Sequence, residues 1–274
     1  MTGFNRRVLP GFSLSLGYTV FYLSAVVLIP LAACFFKAAS LSPAQFWAAV
    51  WTERARAAYA LSFGASFAAG AINVVLGLLV GWVLVRYDFP LKRYLDALVD
   101  LPFALPTAVA GLVYSSLYAP QGWLGQYFVP LGIEGAYSRL GIVLVLIFTG
   151  FPFVVRTVQP VLESFDVDVE EAAATLGATR WQTFRRVLLP GLVPSVLTGF
   201  ALAFARSLGE YGSVIFVAGN RRGETEIAPV LIVARLEEFA YAEAAALAVV
   251  LLVLSFVLLG CINLLERWSL HYGA

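Results

Sequence analysis

A chain of 274 residues with 61% hydrophobic and only 13% charged side chains, and a mean hydropathy of +0.85, excludes a water-soluble globule with a polar surface. The composition is that of an integral membrane protein. A formal net charge of +1 points to no particular partner, and nucleic acid is not expected.

A helix needs about 20 apolar residues to cross a hydrocarbon core of roughly 30 Å. Such runs fall at 13–36, 59–85, 97–118, 139–157, 191–218 and 243–265. Each is too long and continuous for a transmembrane β-strand, so the expected class is an all-α polytopic membrane protein with six transmembrane helices. With the N-terminus inside, the cytoplasmic connections hold ten Lys and Arg and the opposite side six. That bias places both termini in the cytoplasm.

In the first run, Leu31-Ala32-Ala33-Cys34 resembles a lipoprotein processing site behind Arg6 and Arg7. The apolar stretch is long and continues through Phe35 and Phe36, so a retained first span is expected. Cys34 and Cys261 both sit inside runs far apart in sequence, and no disulfide is expected. After the first run, Ser42, Pro43 and Gln45 form a helix-start signal, and Phe46, Trp47, Val50 and Trp51 recur at helical spacing. A short interfacial helix is expected there. The second run carries Gly64, Ala68, Gly70, Gly77 and Gly81, small residues that let another helix approach closely.

The third run reads DLPFALPTAVAG from residue 100. Pro102 and Pro106 each remove a backbone donor, so a kink or interruption is expected. Asp100, Pro102, Pro106 and Thr107 either line a path across the membrane or belong to a kinked packing helix. The fifth run contains Arg206 and Glu210, four apart, beside Gly209 and Gly212. At a helix centre each charge costs at least about 3 kcal/mol, so the two should face the interior and each other. They form a path or gate element, or a structural pair that sets helix register. The charged stretch 219–242 beyond it either meets a partner outside the cell or is a solvated loop.

Between the fourth and fifth runs lies EEAAATLGATRWQTFRRVLLP, residues 170–190. Asp168 with Glu171 reads as one capping box, and Val169, Ala172, Ala173 and Leu176 fall on one apolar face that Gly177 ends. Thr179 with Gln182 reads as a second capping box. Trp181, Phe184 and Leu188 make its apolar side, and Pro190 discourages continuation. Two short helices with exposed apolar faces are expected on the cytoplasmic side. From these residues alone, a partner's groove and the lipid surface are equal destinations.

Glu171, Ala172, Ala173, Gly177, Val187, Leu189 and Pro190 match the EAA-x3-G-x9-I-x-LP loop of ABC importer permeases, with valine for isoleucine. The segments at 6–12, 100–111, 152–163, 170–184, 206–220 and 235–242 extend the likeness over nearly the whole chain, which resembles the sulfate/thiosulfate permease family CysT, also called CysU. The resemblance implies a type I importer permease fold. The first transmembrane helix and interfacial helix would occupy 1–58, the core 59–265 with a coupling-helix loop at 158–190, and a cytoplasmic tail 266–274. It also implies that Glu171, Ala172, Ala173, Gly177, Trp181, Leu189 and Pro190 contact an ATPase subunit. The implied partners are a homologous CysW-like permease, two CysA-like ATP-binding subunits, a periplasmic sulfate/thiosulfate-binding protein and membrane lipid. The implied location is the bacterial inner membrane.

The chain's lysines, Lys37 and Lys92, follow no GxxxxGK[S/T] run, so no phosphate-cradling motif is present and ATP is expected to be used by partner subunits, with no cofactor or metal held here. No histidine base falls within a run, which argues against an intramembrane protease. Permeases for molybdate or tungstate, and an ion-coupled secondary transporter using Arg206, Glu210 and Asp100, remain alternatives; the last leaves the EAA loop without a role.

Overall fold

The computed structural model describes residues 12–272, and among them there is helix and turn but no strand. Arg6, Arg7 and most of the 6–12 segment lie outside the described residues. Among the described residues, five helices are long and apolar enough to cross a membrane: α1 (Leu14–Ala38), Glu53–Arg86, Arg139–Ser164, Arg180–Leu208 and the last helix, whose apolar part is Tyr241–Leu265. The third expected span, 97–118, is not one helix.

After α1, the short helix α2 (Pro43–Val50) starts at the expected capping box: Ser42 Oγ accepts the Gln45 N–H, and Gln45 Oε1 accepts the Ser42 N–H. Its Trp47 is exposed while Val50 is buried, as the amphipathic spacing requires; Trp51 lies just beyond the helix end. Helix α3 (Glu53–Arg86) then runs for 34 residues. The third segment divides into α4 (Lys92–Val99), α5 (Leu101–Ala104) and α6 (Thr107–Tyr118), with extended backbone at Leu105 and Pro106. Pro102 falls at the start of α5 and Pro106 caps α6, positions where a missing N–H costs nothing. The prolines therefore start new helices instead of bending one.

Helix α7 (Arg139–Ser164) runs seven residues past the expected end at 157 and carries Pro152 and Pro160 within it. The polar insert forms α8 (Val167–Thr175), and α9 (Arg180–Leu208) follows as one continuous rod. Two expectations are corrected here. Helix α8 is capped at Asp166, without a side-chain hydrogen bond, so Asp168 lies in the first turn and forms no capping box with Glu171. Pro190 does not end a helix either. A π-turn at Phe184–Leu188 sends the Leu189 N–H back to Phe184 O, a register change one residue before the proline that lets the helix continue.

Helix α9 stops at Leu208, ten residues before the expected end of the fifth span, and α10 (Val214–Val217), α11 (Ala228–Glu237) and α12 (Tyr241–Tyr272) complete the chain. The stretch 219–242 is more than a solvated loop. Arg54 donates to both oxygens of Glu226 at 2.7 Å, and Glu226 is only 4% exposed, so the start of α3 is tied to the segment before α11.

The core is the three-helix contact of α3, α7 and α9. One layer joins Ala65 and Ala69 to Ile142, Val145 and Leu146, with Val214, Val217 and Ile227 closing it. A second joins Val154, Val158 and Leu162 to Leu192 and Ala203, with Leu78 and Trp82 at its edge. Lipid is as apolar as leucine, so such helices associate through close packing more than through the hydrophobic effect. Gly77 of α3 supplies that closeness: a Cβ there would meet Val154 at 2.7 Å.

Candidate functional site

Two features that the sequence singled out stand at opposite ends of the rod α9: the polar insert at its start and the Arg206–Glu210 pair at its finish. The insert is a helical corner. Gly177 has φ +82°, its N–H donates to Ala174 O, and the Ala178 N–H donates to Ala173 O. This double bond pattern is a Schellman motif, which satisfies helix-end carbonyls by placing one residue in the left-handed region. No atom lies within 4 Å of a Cβ added at Gly177, so backbone conformation, not space, demands glycine. The Thr179–Gln182 capping box then starts α9 as expected, with the Thr179 N–H donating to Gln182 Oε1 at 2.8 Å.

Around this corner Leu176 is 87% exposed and Trp181 67% exposed. Glu171, Ala172, Gly177 and Pro190 are exposed as well, and Ala173 and Leu189 are half-buried. Glu171, Ala172, Ala173, Gly177 and Trp181 thus flank one corner whose exposed apolar tips are Leu176 and Trp181, while Leu189 and Pro190 lie further along α9, beyond the π-turn.

What holds the corner includes Arg86, Trp82 and Phe165, which sequence patterns had not marked, alongside Phe184, which they had. Arg86, at the end of α3, pairs with Glu170 at 2.5 Å. Phe184 packs edge-on against Trp82 of α3 with ring centroids 5.6 Å apart, and Trp181 stacks on Phe184. Phe165 lies against Gly191, where an added Cβ would meet its ring at 2.6 Å, so the two stems of the insert are pinched together. Arg86 counted only toward membrane orientation in the sequence. The legible clue was Trp82 one turn before it, an aromatic and a cation at the end of a span.

At the far end, the helix ends before Glu210, so Arg206 and Glu210 do not sit on successive turns of one helix. They pair nonetheless: Arg206 Nη1 donates to Glu210 Oε2. Glu210 is 2% exposed, and its other oxygen accepts the Ser213 N–H and hydroxyl, both at 2.9 Å. The carboxylate thereby holds the broken backbone after α9 in one shape. Arg206 keeps about a third of its side chain accessible.

This break meets the other one. A Cβ added at Gly212 would strike Thr107 Oγ1, and one at Gly111 would strike the Ser213 backbone. The first turn of α6 therefore lies directly on the chain between α9 and α10. Thr107 and Gly212 are brought together beside the Arg206–Glu210 pair, with Pro106 next to Thr107 in the chain; Asp100 is held elsewhere, by Arg156.

Asp100 belongs to a third cluster. Arg156 of α7 donates through Nε and Nη2 to the two oxygens of Asp100, at 2.9 and 2.7 Å. Its Nη1 reaches Asp96 Oδ1 at 2.6 Å and Gln159 Oε1 at 2.8 Å, and Nη2 also donates to Asp96 O at 2.8 Å. Asp96 and Asp100 are four apart, hence on one face, which was the signal for a cationic partner.

Residues 73–270 match the family described as binding-protein-dependent transport system inner membrane component. The chain belongs to this family. It is 49% identical over 262 residues to the sulfate transport system permease protein CysT of Escherichia coli (strain K12), covering 96% of this chain and 95% of that one. It is likewise 49% identical over 255 residues to CysT of a Synechocystis species, covering 93% and 89%. Among solved structures, a bacterial ABC transporter involved in import of the acidic polysaccharide alginate superposes with a TM-score of 0.75 at 17% identity, covering 93% of this chain and 94% of that one. The MetNI methionine ABC transporter, in an inward-facing conformation, gives 0.61 at 19% identity, covering 84% and 99%. These two likenesses carry the fold alone, an all-helical one. Family membership makes the chain a transport subunit.

Proposed function

We propose that this chain is one permease subunit of an ATP-driven importer of sulfate and thiosulfate, set in the bacterial inner membrane. Both termini face the cytoplasm, and the three pieces α4–α6 count as the third of six crossings. A homologous CysW-like permease completes the path, two CysA-like subunits bind and hydrolyse ATP, and a periplasmic binding protein delivers the anion. The substrate reading rests on the high identity to proteins named as sulfate transport permeases.

The observation that carries the mechanism is the unbroken rod from Arg180 to Leu208, about 40 Å at 1.5 Å per residue, with a protruding apolar corner at one end and a helix break at the other. Leu176 and Trp181 present the apolar anchors of a helix-in-groove contact. The ATPase supplies the groove. Pinched stems and the Arg86–Glu170 pair make the corner move with α3 and α9 rather than flex on its own. Displacement at the corner then reaches the Arg206–Glu210–Ser213 turn, where Thr107 rests on Gly212. A dianion crossing there meets limited positive charge, because Glu210 offsets Arg206; the junction works as a gate rather than a tight site. Anion selectivity sits mainly in the binding protein.

The test is radiolabelled sulfate uptake, with thiosulfate and molybdate as competitors, in a strain lacking this gene and in the complemented strain. Restored uptake suppressed by thiosulfate supports the reading. Uptake restored for molybdate but not for sulfate would replace the substrate, and no ATP-dependent uptake would remove the function.

A further inference from the structure

Arg156 is a residue whose environment exceeds what packing needs. A guanidinium has five N–H donors, and here all five meet acceptors: two on Asp100, one on the Asp96 carboxylate, one on the Asp96 carbonyl and one on Gln159. Four of these bonds cross from α7 to the third segment. The Asp96 carbonyl is one of the last four of α4, which an α-helix leaves without an internal donor, so Arg156 also caps that helix. Lysine, with three donors on a point charge, has no way to reproduce the arrangement.

Its location gives the arrangement a consequence. Arg156 lies two turns before the end of α7, whose last residues lead straight through Phe165 into the polar insert. On the other side, Asp100 joins α4 to α5, immediately before the Leu105–Pro106 break and Thr107. Apolar contacts accompany the cluster: Val99 packs with Leu84 and Val155, with Val80, Phe89 and Phe151 around them, and Phe103 stands edge-on to Phe153 at 5.2 Å. The cluster is also partly accessible, with side chains of Arg156, Asp96 and Asp100 at 32%, 38% and 48%.

Resting on the transport reading above, we propose that Arg156 is a positioning residue for transport: it makes α4 and α5 travel with the cytoplasmic end of α7, so that movement of the insert reaches the Thr107–Gly212 junction from both sides. Helix α9 carries it to Gly212; Arg156 carries it to Thr107. A link of this kind, when lost, lets ATP be hydrolysed without the junction opening.

The experiment uses the complete transporter in proteoliposomes. Arg156→Lys is expected to assemble and keep basal ATP hydrolysis, while ATP consumed per sulfate transported rises about fivefold. Asp100→Asn, which keeps the shape and one acceptor oxygen, shows a smaller rise in the same direction. A parallel fall of hydrolysis and uptake, an unchanged ratio, or failure of both variants to assemble would each overturn the link and leave a structural cluster. A second readout does not depend on sulfate: spin labels at Tyr94 of α4 and Ser164 of α7 keep one separation in all nucleotide states of the native chain, and acquire a state-dependent separation in Arg156→Lys. Separations already state-dependent in the native chain would contradict the proposal. Failure of the native complex to move sulfate would instead count against the substrate reading.

Discussion

The two ends of α9 use polar groups in opposite ways. At the end that carries the polar insert, polar groups are satisfied locally, by a Schellman corner and a capping box, which leaves Leu176 and Trp181 exposed. At the other end, Glu210 is buried and both its oxygens are bonded, one by Arg206 and one by Ser213. One end leaves apolar side chains uncovered; the other satisfies its own buried charge. On the proposed mechanism, the exposed apolar side chains are where force would enter, and the satisfied buried charge is where shape is kept.

The comparison breaks most strongly at Arg206. Arg206→Ala leaves the Glu210 carboxylate buried without its cation, a loss of about 3–5 kcal/mol for a buried pair, so the assembled fraction on size exclusion falls and uptake goes with it. Adding Glu210→Gln removes the stranded charge and restores assembly more than uptake. Equal recovery of both would reduce the pair to a structural one.

At the opposite end, Gly177→Val places a β-branched side chain at φ +82°, which costs about 1–2 kcal/mol locally. Membrane insertion stays normal because no atom is displaced. The corner, however, no longer closes, and uptake drops about tenfold while Gly177→Asn, tolerant of this backbone region, retains most of it. Equal uptake for the two variants would show that the corner's shape does not matter.

The smallest expected effect is at Arg86. The pair with Glu170 is mostly shielded yet still reached by solvent, and Arg86→Gln is worth about 1 kcal/mol or less. Faster hydrogen exchange confined to 167–176, with a modest fall in uptake, sharpens the view that the corner is held from behind. Unchanged exchange would place the support in Phe184 and Trp82 alone.

Legibility followed the range of the interactions. The Ser42 and Thr179 capping boxes, the Gly177 stop and the interruption near Pro106 obey rules spanning a few residues, and each stands where the pattern put it. Local rules also misplaced things. Asp168 satisfied a capping pattern, but the helix started at Val167 behind Asp166. Pro190 carried a stop signal that a π-turn cancelled, because the rod is held along its length by α3 and α7. Glu210 looked intrahelical because hydropathy does not register a break between two apolar stretches. Arg86, Arg156 and Glu226 were seen as charges in connections, and only the fold shows that their partners are Glu170, Asp96 with Asp100, and Arg54. Long-range pairing has no local signature beyond the spacing of carboxylates that await a cation.

The measurement closest to the central claim is simultaneous ATP hydrolysis and sulfate uptake by the reconstituted transporter carrying Glu171→Lys and Leu176→Ser on the exposed corner. Neither substitution disturbs the pinched stems or the Arg206–Glu210 turn. Drive through the corner predicts that uptake is lost and that hydrolysis no longer responds to the anion-loaded binding protein. Coupled uptake at the native rate would contradict it.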